Sequence, residues 1–78
     1  MNTQHREIRA LLSSMSPKRA EQAVRLVGLP PDEEAAVLAV DVHGQSCLQA
    51  AALLNVSVDG LAKIRWRAYA KIADDMHG

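Results

Sequence analysis

Charged side chains near the C-terminus have the types and the spacing for contacts with an anionic partner. Four of them follow one another at intervals of four residues: Asp59, Lys63, Arg67 and Lys71. In a helix this spacing places them in one stripe, where neighbouring bases repel by roughly 0.2–0.5 kcal/mol in water and gain energy against phosphate groups. The stripe predicts a helix face that binds DNA.

Asp59 and Gly60, at the start of this stripe, each have two interpretations. The Asp59 carboxylate can accept a hydrogen bond from the exocyclic amine of cytosine, or it can complement the positive end of the helix dipole without touching DNA. Gly60 weakens a helix by roughly 1 kcal/mol relative to Ala. Either DNA approaches closely at Gly60, or the helix contacts DNA only weakly.

The segment that must position the stripe has the spacing of a helix-turn-helix. Ala51 is small enough for the point where two helix backbones cross, and Asn55 tolerates the left-handed backbone that the turn requires. Leu61 and Ile64 lie ten and thirteen residues after Ala51 and anchor the second helix on the core. The remaining small or apolar positions are filled by Ala50, Leu54 and Val56.

Helical periodicity predicts two helices ahead of this segment. Apolar residues recur at i, i+3, i+4 and i+7 in residues 8–15, and a second stripe follows in residues 20–27. Ser16 and Pro17 supply a cap and a first-turn proline for the second helix, and Gly28 is placed to end it.

The rest of the chain predicts three more helices and no strand. Two prolines and three acids at 29–34 start a third helix that runs to Gly44. Ser46 and Ser57 are suited to cap the fourth and fifth helices. The predicted spans of these two are 47–54 and 58–73. The fold class is therefore all-α, a small bundle of about five helices with a C-terminal helix-turn-helix.

The order of motifs after residue 28 resembles a known family. The motifs are Leu29-Pro30 with acids at 32–34, Gly44 and Ser46 after an apolar helix, an Ala-rich helix at 50–54, the turn Asn55-Val56-Ser57, and a basic helix with Arg67-Ala68. In this order residues 29–72 resemble region four of bacterial sigma factors, the domain that binds the promoter's upstream element. The resemblance implies a sigma-like fold, with double-stranded DNA as partner.

The chain departs from this family in two respects. Val58, Gly60 and Ala62 replace long charged side chains on the exposed face of the last helix. The chain also has no room for the domain that binds the melted promoter element. The resemblance therefore implies a sigma-like fold better than it implies a complete sigma factor. We divide the chain into an N-terminal helical extension at 1–28, suited to dimerisation, the sigma-like domain at 29–73, and a tail at 74–78.

The net charge of zero conceals an uneven distribution of charge. Residues 1–29 carry a net charge of +3, residues 30–60 a net charge of −5, and residues 61–72 a net charge of +4. A protein with this distribution can meet a phosphate backbone with one face. For the N-terminal group the preferred interpretation is that the bases line solvated helix faces.

Composition predicts one small domain in a reducing compartment. The chain has 78 residues, with one Trp, one Tyr and no Phe, so its core is small and a homodimer would help to cover the apolar stripe of 8–15. The single cysteine, Cys47, cannot form an internal disulfide. No apolar run is long enough for a membrane span. The N-terminus also lacks the apolar segment that is typical of a signal peptide. The expected location is the cytoplasm, with no membrane partner.

Several other side chains have both structural and functional interpretations. Trp66 suits a hot spot for a protein partner, although packing of Trp66 and Tyr69 under the N-terminal helices is preferred. Arg65 is expected to lie over apolar surface rather than reach a base. Cys47, at a helix start, suits either a thiol of lowered pKa or, as we prefer, a small buried filler.

Two functions remain open from the sequence, and neither is enzymatic. The histidines are isolated and no glycine loop cradles a phosphate, so no catalytic, metal or cofactor site is predicted. The favoured hypothesis is a DNA-binding transcriptional regulator. The alternative is a protein-interaction module of sigma-like fold that binds RNA polymerase or another regulator and does not bind DNA specifically. The residues expected to contact DNA are Ser57, Asp59, Gly60, Ala62, Lys63, Trp66, Arg67 and Lys71.

Overall fold

Serine, proline and glycine set most of the helix ends. In the computed structural model, which describes residues 3–77, five helices follow one another without a strand. Their bounds are α1 Thr3–Ser14, α2 Pro17–Val27, α3 Pro31–Val37 with a π-helical continuation Leu38–Val42, α4 Cys47–Leu54 and α5 Val58–His77. The prediction of an all-α fold with five helices is confirmed for this part of the chain.

The predicted start and stop signals lie at the helix ends. The Ser16 side chain accepts a hydrogen bond from the Arg19 backbone N–H, and Gly28 ends α2 in the left-handed conformation with φ 77°. Ser46 and Gln49 form a reciprocal capping box at the start of α4. Such caps satisfy backbone N–H groups that have no partner within the helix, and each contributes about 1 kcal/mol.

The last helix is longer than its periodicity predicts. It continues past residue 73 through Asp74 and Asp75 to His77, because neither proline nor glycine interrupts these residues. None of the helices in residues 3–77 is by itself long and apolar enough to span a membrane, although the bent pair α4 and α5 meets that test of length and composition when taken together.

A π-helical turn continues α3 and carries Asp41. The His43 backbone N–H donates to the Leu38 carbonyl, five residues earlier, at 2.9 Å, so the turn is wider than that of an α-helix. The Asp41 side chain is 4% exposed. Gly44 then redirects the chain with φ 69°. The wider turn thus brings one acidic side chain into the interior between the helices.

Two groups of buried side chains share α5. In its first half, Leu61 and Ile64 pack against Ala36, Ala50 and Ala51 from α3 and α4. Its second half packs against the other helices in a group formed by Ile8, Leu12, Ala20, Val24, Leu29, Val37, Ala68, Tyr69, Ile72 and Ala73. Both halves of α5 are therefore held in place by packing against the other helices.

The N-terminal helices fold back on their own chain. Ile8 and Leu12 of the predicted apolar stripe are buried in the group that includes Tyr69, whereas Leu11 stays exposed. Leu26 on α2 is 85% exposed. Part of the apolar surface of α1 and α2 is thus covered by α5, and part of it faces outward.

Candidate functional site

A short turn joins α4 and α5 at a steep angle. The chain bends by 92° between the two helices, within the range of about 90–120° typical of helix-turn-helix units. Asn55 ends α4 in the left-handed conformation, with φ 58° and ψ 43°. Ala51 is buried with Leu61 and Ile64, and its carbonyl accepts a hydrogen bond from the Val56 N–H at 3.0 Å. The small Ala51 side chain permits this steep crossing.

The face of α5 away from the core carries most of the predicted stripe. Asp59, Lys63 and Arg67 are exposed, and the ion pairs found among the described residues include none of the three. Ala62 is exposed on this face, and Trp66 is 52% exposed. Two basic groups, one acidic group and an indole ring are therefore accessible to an external partner.

Ser57 and Gly60 serve the start of α5. The Ser57 Oγ accepts a hydrogen bond from the Gly60 N–H at 2.9 Å. A Cβ at position 60 would lie 3.1 Å from this Oγ, closer than ordinary van der Waals contact, so glycine leaves room for the cap. The cap therefore explains structurally why position 60 is a glycine. Neither of the two interpretations from the sequence includes this explanation.

Lys71 makes a contact within the protein. Its Nζ lies 2.9 Å from the Glu33 Oε2 of α3, and the side chains of Lys71 and Glu33 are 49% and 6% exposed. A buried carboxylate is costly without a counter-charge, so this ion pair stabilises the contact between α3 and α5. The fourth member of the stripe therefore has a structural role that competes with any binding of phosphate.

Basic and aromatic side chains of α1 lie beside Trp66. His5 is 5% exposed, and its ring centroid lies 4.2 Å from that of Trp66 in an edge-on arrangement. Arg6 and Arg9 line the same cavity as Trp66 and Ala62, so the N-terminal bases extend the basic surface of α5. The sequence pattern does not predict this contribution of Arg6 and Arg9, because their position depends on how α1 packs. Only the i,i+4 spacing of His5 and Arg9 indicates a shared face.

Asp41 links the π-helical segment to α5. Its Oδ1 accepts a hydrogen bond from the Arg65 Nη2 at 3.2 Å, and its Oδ2 accepts one from the Tyr69 hydroxyl at 2.6 Å. The Arg65 Nη2 also donates to the Tyr69 oxygen at 2.5 Å, and the Arg9 Nε lies 3.9 Å from the Asp41 Oδ1. We call Asp41, Arg65 and Tyr69 the buried triad.

The buried triad explains the positions of Arg65 and Tyr69. Burial disfavours the charge of Arg65, but Asp41 and the Tyr69 oxygen more than offset this effect, so that the pKa of the guanidinium is raised. The ion pair, which spacing does not predict, holds Arg65 at the edge of the core. Of the two aromatic rings expected under the N-terminal helices, Tyr69 is buried and Trp66 is only half covered.

Tyr69 makes stability depend on pH at the alkaline end. Burial, and then the hydrogen bond to Asp41, raise the pKa of the Tyr69 hydroxyl well above its usual value. A raised pKa in the folded state means that the contribution to stability is complete below about pH 10 and is lost as the pH rises. We expect the free energy of unfolding to fall by at most about 1.4 kcal/mol per pH unit through this group.

This dependence is measurable because the chain has a single tyrosine. Ultraviolet absorbance of the phenolate follows the titration of Tyr69 directly, and alkaline unfolding curves give the stability. Tyr69→Phe is the control, and its stability should decline less steeply above pH 10. Equal slopes for the two chains, or half-titration of the folded phenol near pH 10, would contradict the expectation.

The outer face of α4 is apolar. Leu48, Ala52 and Leu53 are exposed, and the whole helix contains no charged residue. The exposed face of α4 therefore offers no basic side chain to a phosphate group. This face instead suits an apolar partner.

Cys47 is exposed rather than buried. It is the first residue of α4, and its Sγ lies 3.5 Å from the Arg65 Nη1. The interpretation of Cys47 as a small buried filler is therefore wrong, because the buried face of α4 begins only at Ala50.

The exposed side chains of α5, with the neighbouring bases of α1, form one surface. Its side chains offer positive charge, hydrogen-bond donors and an aromatic ring. Comparison of the chain with protein-family models, curated proteins and solved structures finds no match.

Proposed function

We propose that this protein is a small transcriptional regulator of the helix-turn-helix type that binds double-stranded DNA sequence-specifically through residues 57–71. The observation that carries the proposal is the orientation of α5. The helix is turned by 92° from α4 over a buried Ala51, and it presents Lys63 and Arg67 away from the core. The resemblance to sigma region four supports the same partner. The proposal places the protein in a bacterial cytoplasm, encoded by a bacterium, a phage or a plasmid.

Each residue of the surface has a role in this proposal. Lys63 and Arg67 bind phosphates, while Asp59 accepts a hydrogen bond from a base edge in the major groove. Arg6 and Arg9 of α1 extend the phosphate-binding surface. Ser57, Gly60 and Ala62 lie where the backbone of α5 meets the groove, Trp66 lies at the edge of the contact, and Lys71 must give up its contact with Glu33 to take part.

The test is a salt titration followed by selection. A labelled pool of random duplexes should bind at low salt, and log K should fall linearly with log salt with a slope of about −0.9 per phosphate neutralised. Repeated selection should then enrich duplexes that bind about 1,000-fold more tightly than the pool. A single-stranded pool of the same composition, which lacks a major groove, is the control. No retention of duplex at low salt would overturn the proposal.

The outer face of α4 supports a second candidate function. Exposed Leu48 and Leu53 on a helix without charge suit burial against a protein, such as RNA polymerase or another regulator. In that case α5 supports the fold and does not contact DNA. Leu48→Ser with Leu53→Ser would then abolish the protein partnership. Under the favoured function the same pair of substitutions would leave DNA affinity within about twofold.

We also expect a homodimer formed by the N-terminal helices. Exposed Leu11, Leu26 and Met76 surround an apolar groove whose lining includes one base, Arg19, and one acid, Asp75. In a two-fold symmetric interface, each contact between two residues occurs twice, once in each direction. Arg19 of each copy can therefore pair with Asp75 of the other.

Sedimentation equilibrium at high micromolar concentration should give the mass of two chains. Leu26→Asp should convert the protein to a single chain without loss of helix content, since Leu26 makes no buried contact. Leu53→Asp, at another exposed leucine, on α4, is the control and should leave the dimer intact. A wild-type mass of one chain would contradict the expectation.

A further inference from the structure

The outer face of α5 carries an apolar stripe beside its basic one. Ala62 and Trp66 lie one helical turn apart and are both exposed, Trp66 by 52%. Lys63 and Arg67 follow them in the sequence and are also exposed, so the two stripes run side by side. The four side chains line an open hollow of about 440 Å³. A partner on this face therefore meets apolar surface and positive charge together.

The indole ring of Trp66 is held in place by α1. The His5 ring packs edge-on against it at a centroid distance of 4.2 Å, and His5 itself is 5% exposed. A side chain that is already ordered loses little conformational freedom when it binds a partner. The exposed half of Trp66 is therefore suited to contact an apolar group of that partner.

Double-stranded DNA offers one kind of apolar group to a helix in its major groove. Lys63 and Arg67 are proposed to bind phosphates, which brings the adjacent apolar stripe to the groove. The base edges there present hydrogen-bond donors and acceptors, and only thymine adds a methyl group, which Ala and aromatic side chains contact. An apolar side chain over any other edge would leave buried polar groups without hydrogen bonds, at a cost in affinity.

We propose that Ala62 and Trp66 contact the 5-methyl group of thymine and thereby select an A·T pair within the bound sequence. The inference rests on the proposed function and adds to it a base that the apolar part of the surface selects. Trp66 lies at the edge of the contact, so the selected pair lies toward one end of the bound sequence. It is a different pair from the one that Asp59 contacts, since a carboxylate accepts a hydrogen bond from cytosine.

Uracil in place of thymine removes this methyl group and keeps the hydrogen-bonding groups of the base. In the duplex that the selection enriches, each thymine is replaced by uracil, one at a time, and the affinity is measured at fixed salt. Replacement at the contacted position should weaken binding about fourfold, which is the effect expected for one buried methyl group. Replacement at the other positions is the control and should leave the affinity unchanged.

Trp66→Ala links this effect to the indole ring. We call the affinity for the thymine duplex, divided by the affinity for the duplex with uracil at the contacted position, the methyl ratio. The methyl ratio should fall from about four in the wild type to about one in Trp66→Ala. Circular dichroism checks that the variant stays helical, because the His5 contact is lost with the ring.

Ala62→Ser is a second variant, should Trp66→Ala fail to fold. It places a hydroxyl group in the apolar stripe at an exposed position. The methyl ratio should fall to about two, because one of the two apolar contacts with the methyl group is lost. Ala52→Ser makes the same change at an exposed position of α4 outside the hollow and should leave the methyl ratio at its wild-type value.

The outcomes separate the thymine contact from the proposed function. If no duplex is bound at low salt, both are wrong. If the selected duplex is bound specifically but no replacement by uracil weakens binding, the thymine contact is wrong and the proposed function stands. The same conclusion follows if a folded variant at Trp66 or Ala62 keeps the wild-type methyl ratio.

Discussion

Asp41→Ala is expected to destabilise the protein by about 3 kcal/mol, because it leaves the Arg65 guanidinium buried without its counter-charge. The side chains of Asp41 and Arg65 are 4% and 11% exposed, so water replaces little of the lost interaction. The Tyr69 hydroxyl loses its acceptor as well. A chain of this size has on the order of 4–12 kcal/mol of stability, and this single change removes a large fraction of it.

Urea and thermal unfolding measure the effect. The melting temperature should fall by about 4–8 °C for each kcal/mol lost. Asp41→Asn keeps an acceptor for Tyr69 and loses the charge, so its stability should lie between those of wild type and Asp41→Ala. Asp74→Ala removes an exposed acid from α5 and should change stability by less than about 0.5 kcal/mol. Equal stabilities for Asp41→Ala and Asp74→Ala would show that the buried triad contributes little.

Features decided by neighbouring residues could be predicted from the sequence. Ser16, Gly28, Ser46 and Asn55 all mark helix ends where the sequence places them, because caps and left-handed turns depend on residues only a few positions apart. The Ala51 crossing is also local, since α4 and α5 are joined by a three-residue turn.

Features decided by distant contacts could not be predicted in this way. The Tyr69 hydroxyl bonds to Asp41 across 28 positions of sequence, and Lys71 pairs with Glu33 across 38. Neither pair has a spacing that a helical wheel detects. The π-helical turn that brings Asp41 inward also lacks a local signal of the kind that proline or glycine gives.

The same distinction applies to the candidate site. The outward direction of Asp59, Lys63 and Arg67 follows from the wheel alone, since it is opposite to that of the core residues of the same helix. The contribution of α1 to this surface does not follow from the wheel, because it depends on the packing of His5 against Trp66. The first three members of the stripe are therefore exposed, as the wheel predicts, whereas the fourth, Lys71, contacts Glu33.

Lys63→Ala and Arg67→Ala are each expected to weaken binding to all duplex sequences alike. Each removes one exposed base from the outer face of α5, so the slope of log K against log salt should become less steep by about one for each lost phosphate contact. Lys18→Ala removes the same charge from α2 and is the control. If it weakens binding equally, net charge accounts for the effect rather than the position of Lys63.

Lys71→Ala is expected to behave differently from the other two bases. It leaves the buried Glu33 carboxylate without its partner, so it should lower stability by about 1–2 kcal/mol, a figure reduced because Lys71 is half exposed. Its effect on the salt slope should be smaller than that of Lys63→Ala.

Asp59→Ala separates a base contact from a contribution to the helix dipole. A base contact predicts a relaxed preference at one base pair, worth about 1–3 kcal/mol there. Affinity for other sequences should stay equal or rise slightly, since a negative charge leaves a surface that faces phosphate. A dipole contribution predicts instead a small loss of stability with no change of preference.

If none of the three changes at Asp59, Lys63 and Arg67 alters DNA binding, while a change at Trp66 abolishes a protein partnership, then α5 is a binding surface for protein and the DNA proposal is wrong.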